Sequence, residues 1–393
     1  MFVFLEKADF ELILAQSVTH SFRKAVLAAA RAYQEDIQMM KMSLLTVLVI
    51  ILSASVSPQP ASADDSSSQK AVLVTGASTG IGRNAAERLA AAGYFVYAGA
   101  RKTADLEELD SIENVMGIRL DVTKQDEIDA AFELVENEGR GLWGIVNNAG
   151  VNVVAPLIEA DVSELEFLFD VNVYGIFRVT KTFAPLIIES KGRIVNISSI
   201  SGFLSGGGYG MYAASKHAVE ALTDALRSEM DDFDVFVAAV EPGNFASEIG
   251  LTRCKRRLAD TDATPYVYFE ERRQQQLARC RDRVKAGIEN EGTPPDAVGA
   301  TIELALFEEN PKDRYLVVPR QEEAGWTISQ VIEELLTLNA RHDHSFTRDE
   351  LVEYLDMSWP FAVGEKSFDD EVASAEMEAF FRSWATRQGN ATE

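Results

Sequence analysis

The sequence predicts an α/β protein whose core is a doubly wound parallel sheet with helices on both faces. Between Lys70 and about Pro319, short runs rich in Val, Ile and Leu alternate with longer stretches of helical periodicity. Near-continuous apolar runs are typical of parallel strands, because such strands are buried on both faces. Regular alternation of strands and helices places helices on both sides of the sheet. We therefore predict one domain at 70–319 with about seven parallel strands.

Start signals support several of the predicted helices. Ser163-x-x-Glu166 and Thr347-x-x-Glu350 have the spacing of capping boxes, and Pro294 stands where a first helical turn is expected. The clearest helical periodicity lies in Ile81–Ala92, Glu127–Asn137 and Met211–Asp231. The predicted strands are Ala71–Thr75, Tyr94–Ala98, Val115–Leu120, Leu142–Asn147, Arg193–Ile197, Val235–Val240 and Arg314–Val318.

Composition and charge exclude several classes of protein. The 393 residues are 47% apolar and 25% charged, which is ordinary for a globular protein and excludes a mainly disordered or collagen-like chain. The 62 acidic and 37 basic residues give a net charge of −25, so the surface repels phosphates and no nucleic-acid partner is expected. Cys254 and Cys280 stand in neither a CxxC nor a zinc spacing, and the four histidines are scattered. We expect separate thiols and no metal site.

An apolar segment near the N-terminus interrupts this pattern. Residues 43–57 are mostly apolar but too short for a membrane-spanning helix, which needs about 20 residues. With a basic start and the small residues Ala61-Ser62-Ala63, the segment 40–63 resembles a secretory signal. Three interpretations remain open: a natural start near Met39 or Met40, an internal membrane anchor, or a packed apolar helix. The protein is exported or membrane-anchored if 40–63 works as a signal, and otherwise cytoplasmic.

A glycine loop follows the first predicted strand and opens a helix. Its sequence runs Thr75-Gly-Ala-Ser-Thr-Gly-Ile-Gly82. Glycines let the backbone turn tightly and approach a pyrophosphate, while the helix N-terminus supplies unpaired N–H groups and a favourable dipole. We expect this loop to bind a dinucleotide through Gly76, Ser78, Thr79, Gly80, Ile81 and Gly82.

The TGxxxGxG spacing resembles the short-chain dehydrogenase/reductase superfamily and differs from the TGxxGxxG of its extended branch. Further motifs of that family follow in the same order over about 70–319. The resemblance implies a Rossmann-type fold, a nicotinamide cofactor and hydride transfer to or from a carbonyl/alcohol substrate. The matching motifs are Asp121-Val122, Asn147-Asn148-Ala149-Gly150, Asn172, Ser199, Tyr212-Ala-Ala-Ser-Lys216, Glu241-Pro242-Gly243 and Ser247, where the family usually has Thr.

By this resemblance four residues carry the chemistry. Tyr212 is the acid/base that exchanges a proton with the substrate oxygen, and Ser199 hydrogen-bonds the same oxygen. Lys216 lies four residues after Tyr212 and therefore on the same helix face. Its ammonium, which also binds the nicotinamide ribose, is expected together with oxidised nicotinamide to lower the tyrosine pKa from about 10. Asn172 is expected to hold a water that links Lys216 to solvent.

The end of the second predicted strand indicates which nicotinamide cofactor binds. NAD-binding proteins usually carry an acid near this point, whereas here Ala100 is followed by Arg101 and Lys102. The two cations could pair with a 2′-phosphate, so NADP(H) is favoured and NAD(H) stays open. The resemblance adds the remaining expected cofactor contacts, which are Asp121, Val122, Asn148, Ala149, Gly150, Tyr212, Lys216, Pro242, Gly243 and Ser247.

Further regions extend this core. Residues 1–69 and the acidic, helix-rich 320–393 are expected to be N- and C-terminal extensions. Residues 246–291 should form the substrate lid; their basic charge indicates either a solvated helix pair or an anionic-substrate site at Arg256 and Arg257. The segments Tyr-Ala-Gly-Ala-Arg and Glu-Pro-Gly-Asn-Phe most resemble the branch of 17β-hydroxysteroid and retinol dehydrogenase-like proteins. That resemblance implies a lipophilic substrate.

Two classes of function fit the sequence. The first is an NADP(H)-dependent oxidoreductase acting on a small lipophilic carbonyl/alcohol compound, with an NAD-dependent alcohol dehydrogenase as its variant. The second is a non-catalytic dinucleotide-sensing protein, but such a protein is free to lose Tyr212 or Lys216, and both are present. The resemblance also implies a homo-oligomer packed through helices at 172–190 and 211–231, and residues 43–57 leave membrane association open.

Overall fold

A parallel sheet forms the centre of the described structure. Its strands are β1 (Ala71–Val74), β2 (Phe95–Ala100), β3 (Val115–Arg119), β4 (Gly144–Asn147), β5 (Arg193–Ile197), β6 (Phe236–Pro242) and β7 (Arg314–Val317). Across the sheet the order is β3-β2-β1-β4-β5-β6-β7, and every neighbouring pair is parallel. The predicted fold class and all seven predicted strands are confirmed, with boundaries that differ by at most two residues.

The structure is a computed structural model that describes residues 69–260, 265–287, 292–340, 345–363, 375, 379–380 and 382–384. All of them belong to the unit Asp65–Glu393. The N-terminal segment 43–57 lies outside the described residues. Within them, no helix is both long and apolar enough to cross a membrane.

Helices connect the strands and continue beyond the last one. The helices are α1 (Gly80–Ala91), α2 (Thr103–Asp110), α3 (Gln125–Glu138), α4 (Val162–Phe169), α5 (Gly175–Ser190), α6 (Gly210–Met230), α7 (Ile249–Ala259), α8 (Glu270–Ala286), α9 (Asp296–Phe307), α10 (Gln321–Asn339) and α11 (Arg348–Ala362). The lid region 246–291 contains α7 and α8, and the C-terminal extension contains α10 and α11.

Both faces of the sheet are buried, which explains the apolar strands. In β1, Val72 and Val74 pack in a cluster with side chains of α1 and α9 such as Leu89 and Ile302. The alternate residues of β1, including Leu73, pack in a second cluster with side chains of α3 and α5. Because successive strand residues point to opposite faces, every position of this strand must be apolar. Full burial of each large side chain contributes about 1.5–3 kcal/mol.

The strand order places a crevice at the carboxyl end of the sheet. The chain runs outward through β1, β2 and β3, and then returns to the other side of β1 to form β4. In open parallel sheets, ligands bind outside the carboxyl ends of the strands at such a reversal. The glycine loop after β1 therefore lies at the expected binding edge.

One of the predicted helix starts is confirmed and two are wrong. Thr347 and Glu350 form a reciprocal capping box at the start of α11. Helix α4 instead begins at Val162 after Asp161, so Ser163 lies inside the helix and not at its N-cap; the Asp161 side chain makes no capping hydrogen bond. Helix α9 begins at Asp296, two residues after the expected first turn.

The prediction of two separate thiols is wrong. Cys254 of α7 and Cys280 of α8 form a disulfide, with a sequence separation of 26 and 4.9 Å between their Cα atoms. Both cysteines are buried. The two lid helices pack against each other, and that tertiary contact brings together cysteines that share no recognisable sequence motif.

Candidate active site

The glycine loop has the backbone shape that its sequence predicts. Gly76 and Gly80 have φ values of +65° and +58°, which residues other than glycine rarely adopt. At Gly82, a Cβ atom would lie 2.4 Å from the Gly76 carbonyl oxygen and 2.3 Å from Asn148 Nδ2. Glycine at Gly82 therefore lets α1 start directly against the loop. Such a cradle, open at a helix N-terminus, fits the pyrophosphate of a dinucleotide.

No acidic side chain lies in the first turn of α1, so the N-terminal dipole of the helix is not neutralised there. Ser78, Thr79 and Ile81 lie in this loop and first turn, as predicted. Asn148 follows β4, and its Nδ2 donates to the carbonyl oxygens of Thr75 at 2.9 Å and Gly76 at 3.1 Å. These hydrogen bonds from Asn148 hold the glycine loop in place. The neighbouring Ala149 lies against Gly76, because a Cβ added to Gly76 would be 2.9 Å from the Cα of Ala149.

Basic and acidic side chains meet beside β2 and β3. Asp121 follows β3, and its carboxylate accepts hydrogen bonds from the Thr123 amide and hydroxyl. Burial alone would raise the pKa of Asp121, but these hydrogen bonds and the charges of Arg101 and Lys124 lower it. Arg101 is therefore near Asp121, as a shared nucleotide site requires. Both Arg101 and Lys102 are exposed after buried Ala100, which leaves them accessible to a ligand. Val122, which follows Asp121, is buried.

The predicted catalytic side chains come together at the end of β5. Ser199 lies two residues beyond this strand, and Tyr212 lies in the first turn of α6. The Ser199 hydroxyl lies close enough to the Tyr212 phenol to lower the pKa of that phenol. Lys216 Nζ lies 5.8 Å from the centre of the Tyr212 ring and donates to the Ile197 carbonyl oxygen at 2.8 Å. The spacing-based prediction that Tyr212 and Lys216 share a helix face agrees with this arrangement.

The protein's own groups shift the pKa of Tyr212 in the direction opposite to the expected one. Burial raises the pKa of Tyr212 to about 12, although the hydrogen bond with Ser199 lowers it. The expected lowering is wrong for the protein alone, because burial penalises the phenolate more than nearby groups favour it. Burial also lowers the pKa of Lys216 to about 8, whereas the charge of Glu220 raises it. At neutral pH, Tyr212 is a protonated phenol beside an ammonium group.

Asn172 lies in a single turn of π-helix, Asp170–Tyr174, at the point where a continuous α-helix was expected. Its Oδ1 accepts from the Val151 amide at 2.8 Å, and its Nδ2 donates to the Val151 carbonyl and to Ser215 Oγ at 3.0 Å. The side chain thus reaches α6 through Ser215 rather than contacting Lys216. Gly150 lies beside it, where a Cβ would be 3.5 Å from Asn172 Oδ1. Ser215, which the sequence analysis missed, adjoins Lys216 and marks this connection.

The loop after β6 faces the glycine loop. Ser199 Oγ donates to the Pro242 carbonyl oxygen at 3.4 Å, which links the catalytic serine to the end of β6. A Cβ at Gly80 would lie 3.5 Å from Ser247 Cβ, so Ser247 lies directly against the glycine loop. The predicted nicotinamide loop and phosphate loop therefore border one crevice.

A buried glutamate of the C-terminal extension supports this loop, and sequence reasoning missed it. Glu323 of α10 is fully buried; its Oε2 accepts from the Asn244 amide at 2.8 Å. Its Oε1 accepts from Arg320 at 2.7 and 2.9 Å. A Cβ at Gly243 would lie 2.3 Å from Glu323 Oε2, so the glycine permits this close approach. The only sequence signal is an acidic residue at the start of a helix, which is common.

We expect Glu323→Ala to weaken dinucleotide binding about tenfold and the fold by about 1–3 kcal/mol, because it removes the carboxylate that accepts from the Asn244 amide and from Arg320. Fluorescence titration with NADPH and thermal unfolding measure the two effects. The matched control is Glu322→Ala, since Glu322 is the exposed neighbour in the same helical turn. Equal behaviour of the two variants would contradict the supporting role of Glu323.

The lid is attached to the core by polar contacts. Arg257 of α7 donates to the Val154 carbonyl at 2.7 Å and to the Tyr266 hydroxyl at 2.8 Å. Arg256 lies 4.6 Å from the centre of the Phe167 ring. These contacts give both arginines structural partners. Tyr266 and Tyr212 both pack on the apolar cluster of Val153, Ala155, Leu168 and Met211, so one apolar wall joins the lid to the catalytic tyrosine.

Comparison with known proteins agrees with this geometry. The sequence profile of the short chain dehydrogenase family matches residues 70–256. The chain belongs to that family, which confirms the resemblance seen in the motifs. The 17-beta-hydroxysteroid dehydrogenase type 6 of Homo sapiens is 34% identical over 65% of this chain and 81% of its own length.

Two further relatives extend the comparison. The mitochondrial D-beta-hydroxybutyrate dehydrogenase of Bos taurus is 38% identical over 46% of this chain, and the match spans only 56% of that relative. A crystal structure of a short-chain dehydrogenase from Streptomyces avermitilis superposes with a TM-score of 0.54 and 29% identity, over 69% of this chain and 95% of the other.

Proposed function

We propose that the protein is an NADP(H)-dependent oxidoreductase that transfers hydride between nicotinamide and a lipophilic carbonyl/alcohol substrate. The observation that carries the proposal is that Ser199, Tyr212 and the buried Lys216 lie together just after β5 and in the first two turns of α6, at the edge of the sheet that also bears the glycine loop. A bound nicotinamide supplies the hydride. The Gly76–Gly82 cradle described above is the structural feature that fits its pyrophosphate.

Each catalytic side chain has a separate task in this proposal. The Ser199 hydroxyl donates a hydrogen bond to the carbonyl oxygen and so polarises the bond that is reduced. Tyr212 donates its phenolic proton to that oxygen as negative charge develops there. Lys216 binds the nicotinamide ribose, and its ammonium stabilises the phenolate that remains. The high pKa of Tyr212, about 12, favours the proton-donor state at neutral pH and hence carbonyl reduction.

The apolar surroundings of Tyr212 support a lipophilic substrate. Tyr212 packs on a cluster that contains Val153, Leu168 and Met211, and Tyr266 of the lid region packs on the same cluster. The partly buried side chains on this cluster, Phe167, Phe169 and Tyr266, offer apolar surface near the proton donor. Burial of a substrate's hydrocarbon groups against such a surface is favourable. Arg256 and Arg257 already contact Phe167 and the Val154 carbonyl, so the structure supports a lipophilic substrate more than one held by its negative charge at these two arginines.

The choice of cofactor is tested at Arg101 and Lys102. We expect the double variant Arg101→Ala/Lys102→Ala to weaken NADPH binding roughly tenfold or more, about 1.4 kcal/mol, while NADH binding changes little. Side-by-side fluorescence titrations measure both affinities. Lys124→Ala is the control, since Lys124 is another exposed cation near Asp121 but is paired with Glu127.

The outcomes separate the candidate functions. Tighter binding of NADH than NADPH by the unmodified protein would replace this assignment with an NAD-dependent alcohol dehydrogenase. Dinucleotide binding without turnover of any carbonyl or alcohol compound would support the dinucleotide-sensing alternative. Binding of neither nucleotide by folded protein would contradict the glycine-loop assignment.

We also propose an oxidising compartment and a homo-oligomer. The Cys254–Cys280 disulfide supports export or anchoring through 40–63, because disulfides persist mainly outside the reducing cytosol. On α5 and the turn before it, Phe177 and Tyr174 are 57% and 52% exposed, which supports burial of this surface against a second copy.

A further inference from the structure

A buried cluster of charged side chains lies beside the catalytic helix, and the mechanism above does not use it. Glu220 of α6 and Glu241 of β6 are 7% and 3% exposed. Both carboxylates accept hydrogen bonds from the same Arg314 nitrogen, Nη1; the one to Glu241 Oε1 is 3.0 Å long. Since Arg314 comes from β7, this cluster joins the helix that carries Tyr212 to the last two strands of the sheet.

The cluster meets the catalytic lysine through α6. Glu220 lies four residues after Lys216 and on the same helix face. Burial lowers the pKa of Lys216, whereas the negative charge of Glu220 raises it. Lys216 is itself buried, and its hydrogen bond goes to the Ile197 carbonyl. The buried groups thus include two carboxyl groups and one ammonium, and the partly exposed guanidinium of Arg314 donates to both carboxyl groups.

The carboxylate of Glu220 is fixed in place. Its Oε2 accepts from Arg314, while its Oε1 is buried and has no hydrogen-bond partner among the described residues. A Cβ at Gly202 would lie 2.6 Å from Oε1, so the turn after Ser199 closes over this oxygen. A buried carboxylate oxygen without a donor is costly unless positive charge compensates it. Lys216 and Arg314 are the described cations that provide this compensation.

Other charged groups face the cluster from its outer side. Asp224, one turn further along α6, accepts from Arg314 Nη2 at 2.5 Å and from Arg227 at 2.9 Å, and half of its side chain is exposed. Burial and the charges of Glu220 and Asp224 raise the pKa of Glu241 to about 7, although Arg314 lowers it. Glu241 is therefore partly protonated at neutral pH. Glu220 is the acidic residue of α6 that follows Lys216 most closely along the helix.

We propose that Glu220 is a positioning residue that keeps Lys216 protonated for dinucleotide binding and proton transfer, with Arg314 holding its carboxylate in place. The assignment rests on the proposed function, since it concerns the lysine that serves the nicotinamide ribose. A merely structural Glu220 would anchor β7 to α6 without affecting when Lys216 loses its proton. The two roles predict different pH dependence.

The test is fluorescence titration with NADPH between about pH 6 and pH 10, a range that spans the Lys216 pKa of about 8. In the unmodified protein, affinity should decline above about pH 8. In Glu220→Gln the decline should move down by about one pH unit, so that binding is roughly fivefold weaker at about pH 8 and nearly unchanged at about pH 6. Lys216→Arg should abolish the decline and thereby assign it to Lys216. Asp224→Asn, which removes the exposed partner of Arg314, should leave the decline in place.

Two results would overturn the inference. In Glu220→Gln, the affinity could decline at the same pH as in the unmodified protein, or it could be lower by the same factor at every pH. Should Glu220→Gln not fold by circular dichroism, Glu220→Asp provides the same test with a smaller downward shift, because it withdraws the carboxylate by one methylene. An unshifted decline in that variant likewise overturns the inference. Absence of NADPH binding by the unmodified protein would instead contradict the proposed function, so the two failures are distinguishable.

Discussion

Replacement of Tyr212 by Phe is expected to reduce turnover by about 10²–10⁴-fold while leaving dinucleotide affinity within about twofold. The variant removes only the phenolic hydroxyl, which is the proposed proton donor near Ser199. The ring that packs on Leu168 and Met211 stays, so the site keeps its shape. Turnover is measured as NADPH oxidation with a panel of lipophilic aldehydes and ketones, and affinity by fluorescence titration.

Tyr209→Phe provides the matched control, since Tyr209 lies three residues earlier, immediately before α6, and is 45% exposed. It should retain full activity. Undiminished turnover in Tyr212→Phe would show that another group protonates the substrate oxygen. An equal loss in both variants would indicate a general disturbance of the start of α6 rather than loss of a proton donor.

Replacement of Gly82 by Ala is expected to weaken dinucleotide binding by more than about 100-fold, or about 2.7 kcal/mol. The added Cβ would approach the Gly76 carbonyl to 2.4 Å and Asn148 Nδ2 to 2.3 Å. Neither group can move away easily, because Asn148 is itself bonded to Thr75 and Gly76. The loop must shift instead, and the shift disturbs the phosphate cradle. NADPH titration measures the loss.

Gly325→Ala is the control for that variant. Gly325 lies inside α10, and a Cβ there meets no atom within 4 Å among the described residues. Alanine should therefore leave binding unchanged and stabilise the fold by about 0.5–1 kcal/mol, the usual preference for alanine over glycine within a helix. Normal NADPH affinity in Gly82→Ala would mean that the helix start does not depend on glycine there.

Local patterns predicted much of the fold and the grouping of the proposed catalytic side chains. The strands were predictable because burial on both faces forces continuous apolar runs, as in β1. Tyr212 and Lys216 were predictable because a four-residue spacing within one helix fixes their common face. Arg101 was predictable from its place after β2, a position that parallel topology brings to the binding edge.

The remaining features depend on contacts between distant parts of the chain. Cys254 and Cys280 meet only because α7 and α8 pack together, and their spacing has no characteristic pattern. Arg314 joins Glu220 and Glu241 only after β7 has paired with β6. The unexpected pKa of Tyr212 likewise arises from burial, a property of the assembled core that neighbours in sequence do not reveal.

The support of the nicotinamide loop by Glu323 also has a consequence for biosynthesis. Asn244 and Glu323 are 79 residues apart, so a growing polypeptide emerges from the ribosome with the glycine loop and Tyr212 long before α10 is made. Chains are made from the N-terminus at about 5–20 residues per second, and domains fold as they emerge. Full affinity for the dinucleotide is thus acquired near the end of translation. Incomplete chains that lack α10 would compete poorly with the finished protein for cofactor.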